Sequence, residues 1–387
     1  MKVFPVFLIS LFMGITVSPQ KQPIDDLTEE VKKGLIGYLR THWMTPEDYV
    51  ISKFETHDIV LIGEHHFIKH DVEFIQGLIP ILYENGIMNL GIEFGCYELQ
   101  EQADSLLTAE AYDEDLARWL VFQWGSYWPN VEYLDLYRKA WEVNHSLPAD
   151  APKFRIVGLD YRARWDLFTE NMPVRRWQRI LSKGPRDKHM ADVITREFIN
   201  QGRKALIYAG QHHSFTRYHE PEYDFKRNRV IRLERNRMGN RIYRKIRNKV
   251  FNICLHYPWT TIKGPKKYDY PVDGAVDSIM REFTEKRFGF DIIDSPFGAL
   301  SDSDALYSAG RRNFTFRDFC DGYIFLKPFA EYEGCSVDPL FITKENFKEA
   351  VSFLPKAEIK QKIKTPAQFL YKMKWDADFK RLYPDLQ

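Results

Sequence analysis

The sequence predicts an α/β fold in which a mainly parallel central sheet is flanked by helices on both faces. Two observations predict it. Six short apolar runs, rich in Ile, Leu, Val and Phe, end directly in Gly, His, Glu or Asp, as strands buried on both faces do. Patterns with apolar residues three and four apart lie between these runs, and such alternation of strand and helix favours a parallel sheet covered by helices.

The apolar runs predict the strands in order along the chain. They cover residues 58–63, 88–94, 154–160, 205–210, 288–294 and 323–327, with 249–256 as a seventh candidate. Helical spacing predicts a first helix over 71–85, which Gly86 ends. The same spacing predicts further helices over 113–123, 133–144 and 191–201.

The chain divides most simply into one α/β domain with two flanking segments. An apolar run follows Lys2 and is short for a bilayer span, so it predicts a signal peptide or an uncleaved anchor within residues 1–20. Residues 21–345 are predicted to form the domain, with a helical insertion near 100–150, and 346–387 a C-terminal helical tail. We expect a protein that is exported to the periplasm or secreted after cleavage, or one that its N-terminus anchors in a membrane.

Composition and charge narrow the choice of partner. The chain is 44% hydrophobic and 28% charged, and its formal net charge is +1. This balance gives no reason to expect a nucleic-acid partner. We expect a small-molecule substrate, and membrane contact only through the N-terminal segment.

One segment departs from this balance. Residues 227–249 contain many Arg and Lys with Glu234 as the only acid. Apolar residues from Ile231 to Val250 interrupt the charges at roughly helical spacing, which predicts a solvated basic helix face. A face that binds anionic glycans or phospholipid head groups is the alternative.

The four cysteines do not form a metal-binding or redox pattern. None belongs to a Cys-x-x-Cys pair, which argues against a zinc ribbon or a thioredoxin-like site. In an exported protein, Cys320 and Cys335 could close a local disulfide loop. Four buried free thiols are the alternative.

Ionisable side chains concentrate where the predicted strands end. They are Glu64, His65 and His66 after the first strand, Glu93 in the second, Asp160 in the third, His212 and His213 after the fourth, and Asp294 after the fifth. Ligands of open parallel sheets bind beyond the carboxyl ends of the strands, so we expect these residues to meet at one edge. A single acid after a strand is usually a helix cap, which would explain Asp71 or Asp160. Two histidine pairs with two glutamates predict a functional site instead.

At these residues the sequence resembles a superfamily of erythromycin esterase-like, ChaN-like haem-binding and TIKI/TraB proteins. The resemblance is confined to roughly residues 55–330, and its motifs are Gly63-Glu64-x-His66, Gly-Ile-Glu93-Phe, Gly-Leu-Asp160-Tyr and Gly210-x-x-His213. The esterase branch implies that His66 activates a water, that Glu64 and Glu93 orient it, and that His213 lies near the substrate. His66 stands two residues after Glu64, where the esterases usually have three, and this spacing looks more like the ChaN branch.

The first functional hypothesis is a hydrolase of an ester or related bond that needs no cofactor. His66 or His213 would deprotonate water, and the other would protonate the leaving group. Arg162 or Arg164 would stabilise an oxyanion. The aromatic loop from Trp124 to Trp128 would cover a substrate that also contacts His65, Asp160 and His212. No Gly-x-Ser-x-Gly motif supports a serine nucleophile.

Two other hypotheses involve a cofactor. The ChaN resemblance implies a haem- or iron-binding uptake protein, in which a histidine would ligate iron between aromatic residues. The TIKI resemblance implies a metal-dependent hydrolase. Glu64, His66, Glu93 and His213 would then ligate a divalent metal.

Overall fold

A computed structural model describes residues 27–386, except residues 168, 170, 171, 173–175, 286 and 355–361. The predicted signal peptide or anchor, residues 1–20, lies outside the described residues. Within the described part, no helix is long and apolar enough to cross a membrane.

The centre of the protein is a seven-stranded sheet in the order β10-β11-β7-β1-β4-β2-β3. The strands of the chain are β1 Ile59–Glu64, β2 Asn89–Cys96, β3 Arg155–Asp160, β4 Ala205–Gly210, β5 Glu220–Asp224, β6 Arg229–Glu234, β7 Val250–Leu255, β8 Trp259–Thr260, β9 Tyr268–Asp269, β10 Phe288–Asp291 and β11 Gly322–Phe325. The seven predicted strands are the seven strands of this sheet. Six of them run parallel, which confirms the predicted fold class.

Helices pack on both faces of the sheet. They are α1 Glu29–His42, α2 Pro46–Lys53, α3 Lys69–Glu84, α4 Gln100–Thr108, α5 Glu114–Trp124, α6 Val131–Ser146, α7 Trp177–Ile180, α8 Arg186–Glu197, α9 Gln211–Ser214, α10 Met238–Ile246, α11 Ala275–Met280, α12 Phe316–Phe319, α13 Phe347–Ser352, α14 Pro366–Ala377 and α15 Phe379–Leu382. Alternate residues of β1 show the arrangement. Val60 and Ile62 face the core beneath α3, α4 and α6, whereas Ile59 and Leu61 face the core beneath α8 and α10.

One predicted strand end does not reach the predicted edge. β10 runs antiparallel to β11, with Asp291 opposite Gly322 at the start of that strand. Asp294, which follows β10, therefore lies at the opposite edge of the sheet from the ends of β1 to β4. The expectation that it joins the other ionisable residues was wrong, because an apolar run does not reveal the direction of an edge strand.

The basic segment is also not one helix. β5 and β6 form an antiparallel hairpin, and only residues from Met238 onward are helical, in α10. Arg232 of β6 forms an ion pair with Glu222 of β5 at 2.7 Å, a cross-strand pair that favours the hairpin. The roughly helical spacing of apolar residues before Met238 was misleading, because Ile231 belongs to a strand.

The four cysteines are free and buried. Cys320 and Cys335 belong to different hydrophobic clusters, so the disulfide considered between them does not form.

Candidate functional site

The site begins where β1 ends. Glu64, the last residue of β1, is buried, and its Oε1 accepts a hydrogen bond from Nδ1 of His66 at 2.7 Å. Phe67 follows with a φ of 70°, a conformation that residues other than glycine rarely adopt and that marks a sharp local turn. His66 therefore lies between the end of β1 and this turn, and 36% of its side chain is exposed.

Two buried tyrosines fix the Glu64 carboxylate. The hydroxyl of Tyr133, on α6, donates to both oxygens at 2.8 and 2.9 Å. The hydroxyl of Tyr208, on β4, donates to Oε2. Burial, together with the charge of Glu64, raises the pKa of both phenols well above the ordinary value. The tyrosines therefore remain donors. Glu64 engages Nδ1 of His66, and Nε2 has no hydrogen-bond partner in the part of the chain that the structure describes.

Glu93, on β2, is the second carboxylate of the site. Its Oε2 accepts the backbone N–H of Gly210 at 2.8 Å, and its Oε1 lies 3.2 Å from Nε2 of His213. Arg186, at the start of α8, places Nη2 3.4 Å from the same Oε1. Burial alone would raise the pKa of Glu93, but His213, His66 and Arg186 outweigh it and hold that pKa well below the usual range. Glu93 is therefore ionised.

His66 and His213 differ in how many of their ring nitrogens contact a carboxylate. Nδ1 of His213 bonds Oδ1 of Asp187 at 2.7 Å, so carboxylates engage both of its nitrogens. Burial lowers its pKa, but Glu93 and Asp187 raise it more, to about 10. In His66, burial is outweighed by the hydrogen bond and charge of Glu64 and by the charge of Glu93, so its pKa lies above 6.5. Of these two histidines, His66 alone has both a raised pKa and a ring nitrogen without a partner among the described residues.

Arg186 is the cation of the site that sequence reasoning missed. Its Nε donates to Oδ2 of Asp160 at 2.6 Å, and the same oxygen accepts Nε1 of Trp124 at 3.0 Å. Asp160 is thus a partner of a cation and an indole, and not a helix cap. Arg186 and Asp187 come directly after Pro185 at the start of a helix, where no motif or strand end distinguished them.

The two arginines expected near an oxyanion have other partners. Arg162 pairs with Glu349 at 2.6 Å and lies over the ring of Phe353 at 4.0 Å. Arg164 is exposed and pairs with Asp166. The structure therefore places Arg186, and neither of these residues, beside Glu93.

The aromatic residues form a buried wall beside His66. Trp128 and Trp124 are only 3% and 6% exposed. The ring of Trp128 meets His66 edge to face at 5.0 Å and stacks on Phe94 at 5.0 Å. These residues adjoin the site, but they line it from within the core and do not form the exposed cover that the sequence suggested.

Two of the predicted histidines point to other partners. Nε2 of His65 hydrogen-bonds the hydroxyl of Tyr383 at 2.9 Å, and burial lowers the pKa of this imidazole to about 3. The side chain of His212 is 56% exposed, and its Nδ1 bonds Glu220. Both lie next in sequence to a site histidine, but their ring contacts lie outside the cluster of Glu64 and Glu93.

Asp71 is not the helix cap that its position suggested. The N-cap of α3 is Ile68, and both carboxyl oxygens of Asp71 are buried without a hydrogen-bond partner among the described residues. Burial first, and then the charge of Glu64, raises the pKa of Asp71 well above the ordinary value. Burial and the Glu64 charge therefore both favour the protonated form of the Asp71 carboxyl.

Gly210 has no side chain at the point where the imidazole of His66 and the carboxylate of Glu93 lie. A Cβ at this position would lie 2.6 Å from Cε1 and 3.0 Å from Nε2 of His66, and 3.3 Å from Oε2 of Glu93. The backbone of Gly210 has φ −52° and ψ 140°, which other residues also adopt. The need for glycine is therefore one of space.

We expect Gly210→Ala to displace the imidazole of His66. Overpacking of this kind costs about 1–3 kcal/mol of unfolding free energy. Loss of the Glu64 contact should also lower the pKa of His66, which NMR titration of the histidines measures. Gly77→Ala is the matched control, since nothing lies within 4 Å of its Cβ position in α3. It should leave the His66 titration unchanged and stabilise the helix by about 0.5–1 kcal/mol. An unchanged His66 titration in Gly210→Ala would contradict this account of the site.

The fold and the site together define an α/β protein with a histidine–carboxylate centre at the carboxyl edge of a parallel sheet. No protein-family profile and no curated protein matches the sequence. A solved succinoglycan biosynthesis protein is similar with a TM-score of 0.50 and 10% identity, over 78% of this chain and 98% of its own. The match establishes similarity of fold alone.

Two further solved structures are similar over most of their own length. A Bacillus cereus protein has a TM-score of 0.46 and 11% identity, over 79% of this chain and 99% of its own. ChaN of Campylobacter jejuni, whose structure is described as showing cofacial heme binding, has a TM-score of 0.37 and 14% identity, over 58% of this chain and 92% of its own.

Proposed function

We propose that this protein hydrolyses an ester or related bond in a small molecule, using a water activated by His66. The observation that supports the proposal most is the asymmetry of the two histidines. Glu64 holds Nδ1 of His66 and leaves Nε2 free, whereas two carboxylates engage both nitrogens of His213. A general base needs one oriented and one free nitrogen.

In the proposed reaction, Nε2 of His66 takes a proton from water while the water oxygen attacks the acyl carbon. Glu64 stabilises the imidazolium that forms. The tetrahedral oxyanion collapses, the bond to the leaving oxygen breaks, and His66 returns its proton to that oxygen. Arg186 is the cation nearest to Glu93 besides His213, and it supplies positive charge for the oxyanion.

His213 has a different role in this proposal from the one expected from the sequence. An imidazolium bonded to Glu93 and Asp187 has no free N–H for a leaving group. It instead keeps Glu93 ionised and fixed, so that Glu93 orients the attacking water.

The donor set does not fit a divalent metal. Glu64 already accepts hydrogen bonds from Tyr133, Tyr208 and His66. Glu93 already contacts two cationic side chains, which would repel a metal ion. Among the described residues, no group of three or more His, Cys, Asp and Glu is placed to hold a metal ion.

Haem binding is the second candidate. The observation that favours it is the contact of His66 with flat apolar rings, those of Trp128, Phe94 and Phe67. Aromatic surfaces beside a histidine could flank a macrocycle, with His66 as the iron ligand.

The deciding experiment combines an ester screen with two cofactor tests on the purified protein. We expect release of acid from at least one class of ester, with a rate that a metal chelator does not change. Haem addition should produce no Soret band that depends on His66. Activity restored only by zinc or manganese, or a stoichiometric Soret band lost in His66→Ala with no ester cleaved, would overturn the proposal.

The pH dependence of hydrolysis should be bell-shaped. The rate should rise as His66 loses its proton, at a pH above 6.5 because the pKa of His66 is raised. It should fall near pH 10, where His213 becomes neutral and no longer holds Glu93 in place. Measurement of kcat/KM across this range tests both limbs. A profile that is flat from neutral to alkaline pH would show that neither histidine has its proposed role.

A further inference from the structure

Positive charge is concentrated in one segment of the chain. Residues 220–249, which comprise the β5–β6 hairpin and α10 and are called the basic ribbon below, contain eleven Lys and Arg but four Asp and Glu, a net charge of +7. The whole chain has a net charge of +1, so the residues outside the basic ribbon together have a charge of −6. Such separation of charge orients a protein toward a partner of one sign.

Most of these cations have no acidic partner. Within the described part of the chain, three arginines of the ribbon pair with carboxylates: Arg227, Arg232 and Arg237. The other eight form no ion pair with a described carboxylate: Lys226, Arg229, Arg235, Arg241, Arg244, Lys245, Arg247 and Lys249. All of these eight except Arg241 are exposed. Their charge is therefore available to an external partner.

One exposed apolar side chain lies within the basic ribbon. The register of the hairpin pairs Glu222 with Arg232 and Tyr223 with Val230, so Ile231 is the extra residue of a β-bulge. Ile231 is 63% exposed, between Arg229 and Arg232 in β6. An exposed apolar residue close in sequence to exposed arginines is typical of segments that bind at the boundary between lipid head groups and acyl chains.

The base of the basic ribbon adjoins the candidate site. Glu220, the first residue of β5, bonds His212 and also Arg237 at 2.6 Å. Arg237 lies 3.6 Å from Asp187, the partner of His213. A surface that binds the ribbon would therefore hold the site close to it.

We propose that the basic ribbon docks on a membrane surface of anionic phospholipid head groups. The unpaired cations complement the anionic head groups, and Ile231 enters the region below them. Nucleic acid would use the same charge, but it offers no apolar layer for an exposed isoleucine. The proposal adds a second membrane contact to the one expected from the N-terminal segment, and it does not depend on the proposed hydrolysis.

Sedimentation with lipid vesicles tests the proposal. The full-length protein should bind vesicles of phosphatidylcholine with about 30% phosphatidylglycerol, should not bind phosphatidylcholine alone, and should dissociate as salt rises. A variant with Lys226, Arg229, Arg235 and Lys245 all changed to Gln should bind at least about 100-fold more weakly, since each cation near such a surface contributes about fivefold. The matched control changes four exposed cations elsewhere, Lys33, Arg40, Lys344 and Lys348, to Gln. It should bind like the wild type.

A second variant separates the apolar contact from the charge. Ile231→Ser retains every charge and should weaken vesicle binding about tenfold, with no effect on binding to heparin. Equal binding to neutral vesicles, equal loss in the two charge variants, or tighter binding to duplex DNA than to anionic vesicles would each overturn the proposal. Circular dichroism and an unchanged thermal transition establish that the variants fold.

Discussion

Replacement of His66 by alanine should lower kcat/KM for ester hydrolysis by about 10³-fold, within the 10²–10⁴-fold range of general-base catalysis. Of the two histidines of the site, His66 alone has a ring nitrogen without a hydrogen-bond partner among the described residues, so we do not expect His213 to replace it. The free energy of unfolding should also fall, by about 1–3 kcal/mol, because the substitution removes one of the three donors to the buried Glu64 carboxylate. The measurement is steady-state kinetics with chemical denaturation of the same samples.

Two further variants locate the cause of that loss. His145→Ala removes an exposed histidine of α6 and should leave the kinetics unchanged. Glu64→Gln keeps the oxygen that Nδ1 of His66 faces but removes its charge, so the rising limb of the pH profile should move to lower pH. A role for Glu64 in packing alone would not move that limb. Full activity in His66→Ala with loss in His213→Ala would instead assign the base to His213.

Arg186→Met should destabilise the protein by about 3 kcal/mol, because it leaves the buried Asp160 without its cation and removes one of the two cations that contact Glu93. Arg164→Met is the control, since its ion pair with Asp166 is exposed and contributes at most about 1 kcal/mol. Urea unfolding at neutral pH measures both values. Activity should fall in the first variant and not in the second, because only Arg186 lies at the site.

The pH dependence of this effect has a definite sign. The pKa of Glu93 is lowered in the folded protein, in part by Arg186, so the ion pair stabilises the fold above the ordinary pKa of 4.5. That contribution is lost as the pH falls, and the difference between wild type and Arg186→Met should shrink in acid. Asp160→Asn added to Arg186→Met should recover part of the stability. A constant difference at every pH would mean that Arg186 acts through packing and not through charge.

The central sheet and the four catalytic candidates were predictable from the sequence because both depend on local signals. A buried strand leaves an apolar run, and a polar residue directly after it lies at the edge of the sheet. Glu64 ends β1, and His66 and His213 lie within three residues of the ends of β1 and β4, whereas Glu93 lies in the second half of β2.

The residues that tune the site were not predictable in the same way. Arg186 and Asp187 begin a helix that is distant in sequence from β1 and β2, and no pattern links them to a strand end. Tyr133 lies on α6, where a buried tyrosine reads as an ordinary core residue. Tyr208 had the better signal, because alternate residues of a strand share a face and Tyr208 therefore faces the same side as Gly210.

The structure of the basic segment could not be predicted for a different reason. Its apolar residues fit a helical repeat, but cross-strand pairing between β5 and β6 determines the structure of its first half. The spacing of apolar residues along one segment does not report such pairing, because the pairing depends on the segment that forms the neighbouring strand.

The partners of Glu64 also have a consequence for the order of events during folding. They come from residues 2, 69 and 144 positions away along the chain. If Glu64 lost its hydration before all three donors were in place, its carboxylate would be buried without hydrogen bonds, at a cost of several kcal/mol. The last step of folding should therefore bring these donors together. Any activity of the site should return during refolding only when the sheet is complete. A kinetic intermediate that already has its helices but lacks these contacts would therefore also lack the assembled site.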